Sequence, residues 1–320
     1  MNNLSVVAVI ASFEPAGDLL EVLDHVSAQV DSVVIVDDGS PSLATDPTGA
    51  VAGVLDRCAA AGATVLHTSE NRGIAHALNQ GVRVALERGA AAVLTLDQDT
   101  HLEPDYIERV GDHLDLASSV GIRRVLASPS RINEDVAPFW FAERGLTLAF
   151  EPIQSGLVIT REVFDEVGLF DEGLFIDCVE TEFYLRARAR GAHALVVPGT
   201  GIRHRLGRRA RWVPPRPLRW LIRGGGAGIE FSEDAPFRHY YIARNRIVLY
   251  RKYFRTEPLW CAVSIAKDTI SRGRAILIGT QRRSRIYLTT AGLAAGLRGD
   301  VGRIPERTRR RAEGISSVQS

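Results

Sequence analysis

Through the first half of the chain, short β-branched runs alternate with longer segments whose apolar residues recur every three or four positions. Strands are predicted over residues 6–11, 32–36, 64–67 and 92–96, with helices over 18–30, 51–61 and 73–88 between them. In the last of these helices Ile74, Ala77, Leu78, Val82 and Ala85 line one apolar face. Alternation of this kind implies an α/β fold, a mainly parallel sheet wrapped by helices. Such a sheet carries its ligand crevice at the carboxyl ends of its strands.

Beyond residue 100 the pattern loosens. Strands are expected at 124–127, 156–160 and 194–197 and a helix at 177–190, with a poorly patterned stretch between the first two strands. Arg, Pro, Gly and Trp crowd residues 205–228, which reads as a loop. Helical periodicity then returns from 236 to 253 and again from 260 to about 297, broken near Gly279. The last dozen residues are polar and arginine-rich and read as frayed. The expected division is a sheet domain over residues 1–235 and a C-terminal helical extension over 236–320.

A chain of 320 residues that is 45% hydrophobic and 24% charged has the makings of a folded core. Its net charge of +1 argues against a nucleic-acid-binding polycation. Cys58, Cys178 and Cys261 have no metal-finger spacing and read as buried thiols of a reducing compartment. Met1–Asn3 leads straight into a strand, so no signal peptide is expected, and no run reaches membrane-spanning length. Both point to the cytoplasm.

The polar residues at strand ends carry the chemistry. Asp37-Asp38-Gly39-Ser40 follows the second strand, where a carboxylate can accept from a base N–H or a ribose hydroxyl, or simply close a polar turn. In Asp97-Gln98-Asp99 the two carboxylates sit at i and i+2 of an extended segment and face the same way. Two hard oxygen donors so placed suit Mg²⁺ or Mn²⁺ bridged to a diphosphate. Asn71-Arg72-Gly73-Ile74 opens a helix whose free N–H groups could face phosphate, and Asn71 could equally serve as its cap, the two being compatible. Glu180 falls in the first turn of a helix that Asp177 would cap, a setting for a general base or for an ordinary dipole partner. Glu182 is expected to pair locally with Arg186. His204 stands among Arg203, Arg205, Arg208 and Arg209, either a ligand beside a diphosphate-holding cluster or a structural imidazole.

The order of these pieces resembles the family-2 glycosyltransferases of GT-A fold, which implies an α/β fold with a mixed, mostly parallel sheet flanked by helices and a C-terminal helical extension. V-V-A-V-I-A-S-F-E-P is followed by V-D-D-G-S, N-R-G-I-A-H-A-L-N-Q-G and L-T-L-D-Q-D-T. Then come Q-S-G-L-V-I-T, V-G-L-F-D-E-G-L-F-I-D-C-V-E-T-E-F and H-R-L-G. The D-Q-D-T form, the F-I-D-C-V-E-T-E segment and Y-Y-I-A-R-N-R-I-V-L-Y-R-K-Y are similar to the rhamnosyltransferase branch. The resemblance spans about residues 4–255. It implies that Asp37, with Asp38, Arg72 and Gly73, serves the nucleotide, and that Asp97 lies against the ribose or the metal shell. Asp99 and His204 would ligate the cation, and Glu180 stands where the family places an aspartate base, with Asp177 and Glu182 as near alternatives.

That resemblance further implies an inverting transfer from a nucleotide-diphosphate sugar, dTDP-rhamnose foremost, to a glycan or lipid-linked acceptor. A UDP-sugar donor such as UDP-galactofuranose, or an inactive nucleotide-sugar-binding scaffold, are the alternatives. The C-terminal helices would form the acceptor side. Their arginines alternate with Leu, Ile, Trp and Tyr, which would allow peripheral contact with the inner face of the plasma membrane.

Overall fold

The computed structural model of the chain describes residues 4–204, 208–213 and 229–317. It begins with β1 (Val6–Ser12), α1 (Asp18–Ser27), β2 (Ser32–Asp37), the short α2 (Pro41–Thr45) and α3 (Ala50–Ala60). β3 (Thr64–His67), α4 (Ile74–Glu87) and β4 (Ala92–Asp97) complete the regular half. These four strands pair in parallel in the order β3-β2-β1-β4. All seven residues of β1 are buried, because a central parallel strand is covered on both faces. Val6, Ala8 and Ile10 share one core with Leu19, Val22, Leu23 and Val26 of α1. On the opposite face Val9 packs against α4 at Gly81.

The second half of the sheet is less regular. After β5 (Thr100–Leu102) and α5 (Tyr106–Ser119) come β6 (Val125–Ile132), β7 (Asp135–Val136), β8 (Phe139–Glu143), β9 (Leu146–Ala149) and β10 (Leu157–Thr160). α6 (Arg161–Val167), a single 3₁₀ turn at Glu172–Leu174, α7 (Val179–Arg188) and β11 (His193–His204) follow. β10 lies antiparallel between β4 and β6, and β11 runs parallel to β6. The sheet is therefore the mixed, mostly parallel one expected, extended to eleven strands by short edge pairings. A register shift in β11 between Val197 and Gly201 is locked by Thr200, whose hydroxyl donates to the Val197 carbonyl at 2.7 Å. Beyond that bulge the strand pairs with β6 again in a shifted register, Gly201 opposite Arg131 and Ile202 opposite Ile132, and also reaches β5.

Met1–Arg205 and Leu206–Ser320 form separate compact units. The second contains β12 (Arg208–Trp212) paired antiparallel with β13 (Ile229–Glu233), then α8 (Arg238–Tyr253), α9 (Pro258–Ile278), α10 (Arg282–Arg298) and α11 (Glu306–Ser317). The ribbon corrects the loop expected over 205–228, of which residues 205–207 and 214–228 lie outside the described residues. Tyr240, Tyr241, Trp260, Cys261, Leu288 and Ala295 are buried in the helical unit. Buried Arg285 donates to the Asp234 carbonyl at 2.8 Å and pairs with Glu233 at 3.0 Å. Beside it burial and the guanidinium push His239 down to about 4, keeping that imidazole neutral.

The C-terminal segment is also a correction. Residues 306–317 are helical, not frayed. Glu306 pairs with Arg309 and Arg310, and Glu313 with Arg309, one turn apart along a polar helix. Among the described residues, no helix is long and apolar enough to cross a membrane.

Candidate active site

β2 and β4 flank β1, so the chain reverses its direction of travel across the sheet at the β1–β4 boundary. Crevices form outside the carboxyl ends of strands at such switch points. Asp97 is the last residue of β4, Gln98 and Asp99 make the turn, and β5 begins at Thr100. The far end of β11 pairs antiparallel with β5, setting Ile202 opposite Leu102 and His204 opposite Thr100. This register brings an imidazole from the end of the sheet domain onto the aspartate turn. Asp97, Asp99 and His204 each offer one ligand atom, and these lie within 4.8 Å of one another. His204 Nδ1 is 3.3 Å from Asp99 Oδ1, and Nε2 is 3.8 Å from Asp97 Oδ2.

A polar frame holds these three groups. Asn133 clamps the His204 backbone, its Oδ1 accepting from the amide at 3.0 Å and its Nδ2 donating to the carbonyl at 3.0 Å. Thr100 Oγ1 lies 2.8 Å from His204 Nδ1 and receives a hydrogen bond of 2.8 Å from Ser155 Oγ. Ser155 Oγ in turn accepts from the Asp97 amide at 2.9 Å. A partner on one ring nitrogen fixes imidazole orientation, as second partners do for metal-bound histidines. Two carboxylates and an imidazole, partly exposed and converging, form a donor set that suits Mg²⁺ or Mn²⁺. Thr100, Asn133 and Ser155 were not legible as site residues, since only the β5–β11 pairing brings them together.

Residues 7–146 match the model of the family described as glycosyl transferase family 2. The chain is also 27% identical, over 319 residues, to a protein of Shigella flexneri named dTDP-rhamnosyl transferase RfbF, covering 94% of this chain and 98% of that one. The protein is a glycosyltransferase with a family-2 domain. Its fold is shared with TarS 1–349 of S. aureus, at a TM-score of 0.54 and 13% identity over 98% of this chain and 88% of that one. The same TarS fragment in complex with UDP-GlcNAc aligns at a TM-score of 0.53 and 12% identity. These are GT-A folds, and the likeness extends to the architecture alone.

In this glycosyltransferase the other aspartate pair faces inward. Asp37 is fully buried, and its carboxylate accepts from the Ser40 amide at 3.1 Å and from the Ser40 hydroxyl. Asp38 accepts from the backbone N–H groups of Arg72 at 3.0 Å and Gly73 at 2.7 Å. Burial raises the Asp38 carboxyl above its usual 3.8, partly offset by those two donors. Gly39 has φ +64°, and a Cβ there would fall 2.2 Å from the Glu70 carbonyl carbon, so the turn requires glycine. Two of the N–H groups expected to face phosphate are therefore taken by Asp38. Gly73, not Asn71, precedes the first residue of α4.

Glu180 belongs to a third group. It lies in the first turn of α7, half-buried, with the Thr181 hydroxyl donating to its Oε1 at 3.3 Å. The approach to that helix is strained: Phe175, Asp177 and Cys178 all have positive φ. Phe175, at φ 65° and ψ −65°, centres a γ-turn closed by a 2.8 Å bond from the Ile176 amide to the Leu174 carbonyl. Cys178, not Asp177, occupies the cap position, because the chain stays left-handed through both residues before α7 starts.

α4 holds this loop. Asn79, buried, exchanges hydrogen bonds of 3.0 and 2.9 Å with the backbone of Phe170. Glu172 accepts from Asn79 at 3.0 Å, lies 2.9 Å from His76 Nδ1 and pairs with the half-exposed Arg72 at 3.3 Å. Burial raises the Glu172 carboxyl, but Asn79, His76 and Arg72 outweigh it and hold the group below its usual 4.5. At Gly73, φ +97°, a Cβ would meet the Phe175 carbonyl oxygen at 2.3 Å. The N-R-G-I-A-H-A-L-N motif is thus the seat of the loop that carries Glu180. Glu182 is buried and bonded through both oxygens to Arg186, at 2.9–3.2 Å, as expected of a structural pair.

Proposed function

We propose that this glycosyltransferase moves a deoxyhexose, L-rhamnose, from dTDP-rhamnose onto a glycan or lipid-linked acceptor, by single displacement with inversion. The convergence of Asp97, Asp99 and His204 at the sheet's switch point supports a diphosphate-bearing donor. The Shigella relative, similar along nearly its whole length, supports the sugar. Asp99 and His204 would hold a Mg²⁺ or Mn²⁺ ion with Asp97 beside it. The cation supplies charge neutralisation for the diphosphate leaving group.

The chain's own residues divide the remaining work. Asp97 would lie against the ribose or the metal shell. Asp37 and Asp38 shape the nucleotide-facing turns by fixing Ser40, Arg72 and Gly73. Glu180 receives the proton of the acceptor hydroxyl as that oxygen bonds to the anomeric carbon and the bond to the diphosphate breaks. The ion pair of Glu182 with Arg186 favours Glu180 over its neighbour as the base. The C-terminal helical unit is assigned to the acceptor side, and the protein to the cytoplasm.

Calorimetric titration with a panel of nucleotide sugars, with and without Mn²⁺ or Mg²⁺, tests this reading. Metal-dependent binding led by dTDP-rhamnose is expected. Preference for UDP-galactofuranose or another UDP-sugar would remove the rhamnose assignment. Absence of binding to any nucleotide sugar would point to an inactive scaffold.

A further inference from the structure

Helix α9 buries one face and leaves the other apolar and open. Trp260, Cys261 and Ser264 are buried in the C-terminal unit, and Asp268 joins them through Arg246 at 3.1 Å and the Tyr250 hydroxyl at 2.6 Å. At about 100° per residue the opposite side collects Leu259, Ala262, Ile265, Ala266, Ile270 and Leu277. All six are exposed, Ile270 at 72%, Leu277 at 69% and Leu259 at 62%. No charged residue falls within roughly 160° of arc around them. The helix is 21 residues long, yet Lys267, Asp268, Arg272 and Arg274 keep it from qualifying as a membrane span.

The charges bordering this face have one sign. On α9 the exposed charged side chains, Lys267 and Arg274, flank it along one edge, and the other exposed charges of residues 251–278, Arg251, Lys252 and Arg255, precede the helix. The two acidic residues of that segment, Glu257 and Asp268, are both partly buried. A second copy of the same helix would set cation against cation along the seam. A wide apolar face with a cationic border instead complements a layer of anionic lipid headgroups over acyl chains.

We infer that α9 is a membrane-docking helix that lies in the plane of an anionic lipid surface, its Leu259–Leu277 face among the acyl chains and its Lys267–Arg274 border on the headgroups. The surface belongs to the C-terminal unit and is independent of the donor and metal assignments.

Vesicle co-sedimentation of the full chain tests it, comparing phosphatidylglycerol–phosphatidylcholine vesicles with phosphatidylcholine alone. Binding to the anionic vesicles, weakened by high salt, is expected. The double variant Lys267→Glu/Arg274→Glu should lower the partition coefficient at least tenfold, since each lost cation accounts for roughly a fivefold change. Ile270→Asp with Leu277→Asp should abolish binding, whereas Arg310→Glu on α11 should leave it within about twofold. Nucleotide-sugar binding and thermal melting of each variant separate lost docking from lost fold. Equal binding to neutral and anionic vesicles, no binding at all, or undiminished binding by the α9 variants would overturn the proposal. Sedimentation velocity showing a dimer that Ile270→Asp dissolves, without vesicle binding, would assign the face to a second copy instead.

Discussion

Two aspartate motifs end the strands that flank β1, V-D-D-G-S after β2 and L-D-Q-D-T after β4, and their side chains are placed differently. Asp37 and Asp38 are almost fully buried and spend their oxygens on Ser40, Arg72 and Gly73. Asp97 and Asp99 keep side chains about a quarter to a third exposed and converge on His204. The difference arises in the turn. Gly39, at positive φ, folds the chain back so that Ser40 reaches Asp37, while the amides that reach Asp38 come from Arg72 and Gly73 in the loop before α4. After Asp99 the chain instead enters β5 and pairs with β11, which delivers an imidazole. A carboxylate at a strand end is held inward when neighbouring turns supply its donors, and stays partly exposed when the chain leads on into another strand.

Substitutions at the two pairs should therefore separate activity from stability. The largest effect is expected for Asp99→Ala, which should lower metal-dependent transfer by about 10²-fold or more while leaving the melting temperature nearly unchanged. Kinetics alongside calorimetric melting check both halves of that statement. Asp38→Ala should invert the pattern, destabilising the protein by about 1–3 kcal/mol because the buried Gly73 N–H and the part-buried Arg72 N–H lose their acceptor. Denaturant titration measures it, and an unchanged midpoint would erase the contrast between the pairs.

Smaller effects sharpen the comparison. Asn133→Ala touches neither aspartate, yet it unclamps the His204 backbone and should weaken Mn²⁺ binding about tenfold. Glu172 ties the loop before Glu180 to α4, and its pH dependence has a definite sign. Because its folded carboxyl lies below the usual 4.5, its contribution is present above that value and is lost as pH falls through the lower folded one. Glu172→Gln should flatten that part of the acid limb in a plot of melting temperature against pH.

Strand–helix alternation made the parallel half of the sheet readable, and the i, i+2 spacing picked out Asp97 and Asp99. The β5–β11 pairing was not readable, because a three-residue strand has no periodicity and its register with His204 is set by a bulge at Val197–Gly201. Asp38 and Gly73 were legible as important, but their bond to each other is a tertiary contact between loops. The hairpin of β8 and β9 escaped for another reason: Phe139 and Phe141 are exposed, so its apolar residues do not report burial. Helix α11 lacks a broad apolar face and is held by ion pairs one turn apart.

The proposed cation site draws Asp97, Asp99 and His204 from β4, the turn before β5 and β11. Mn²⁺ titration followed by electron paramagnetic resonance, on the full chain and on His204→Ala, tests it most directly. One bound ion per chain is expected in the native protein, with affinity falling at least about tenfold in the variant. Equal Mn²⁺ binding by both would contradict it, leaving His204 a structural imidazole and the aspartates without a third ligand.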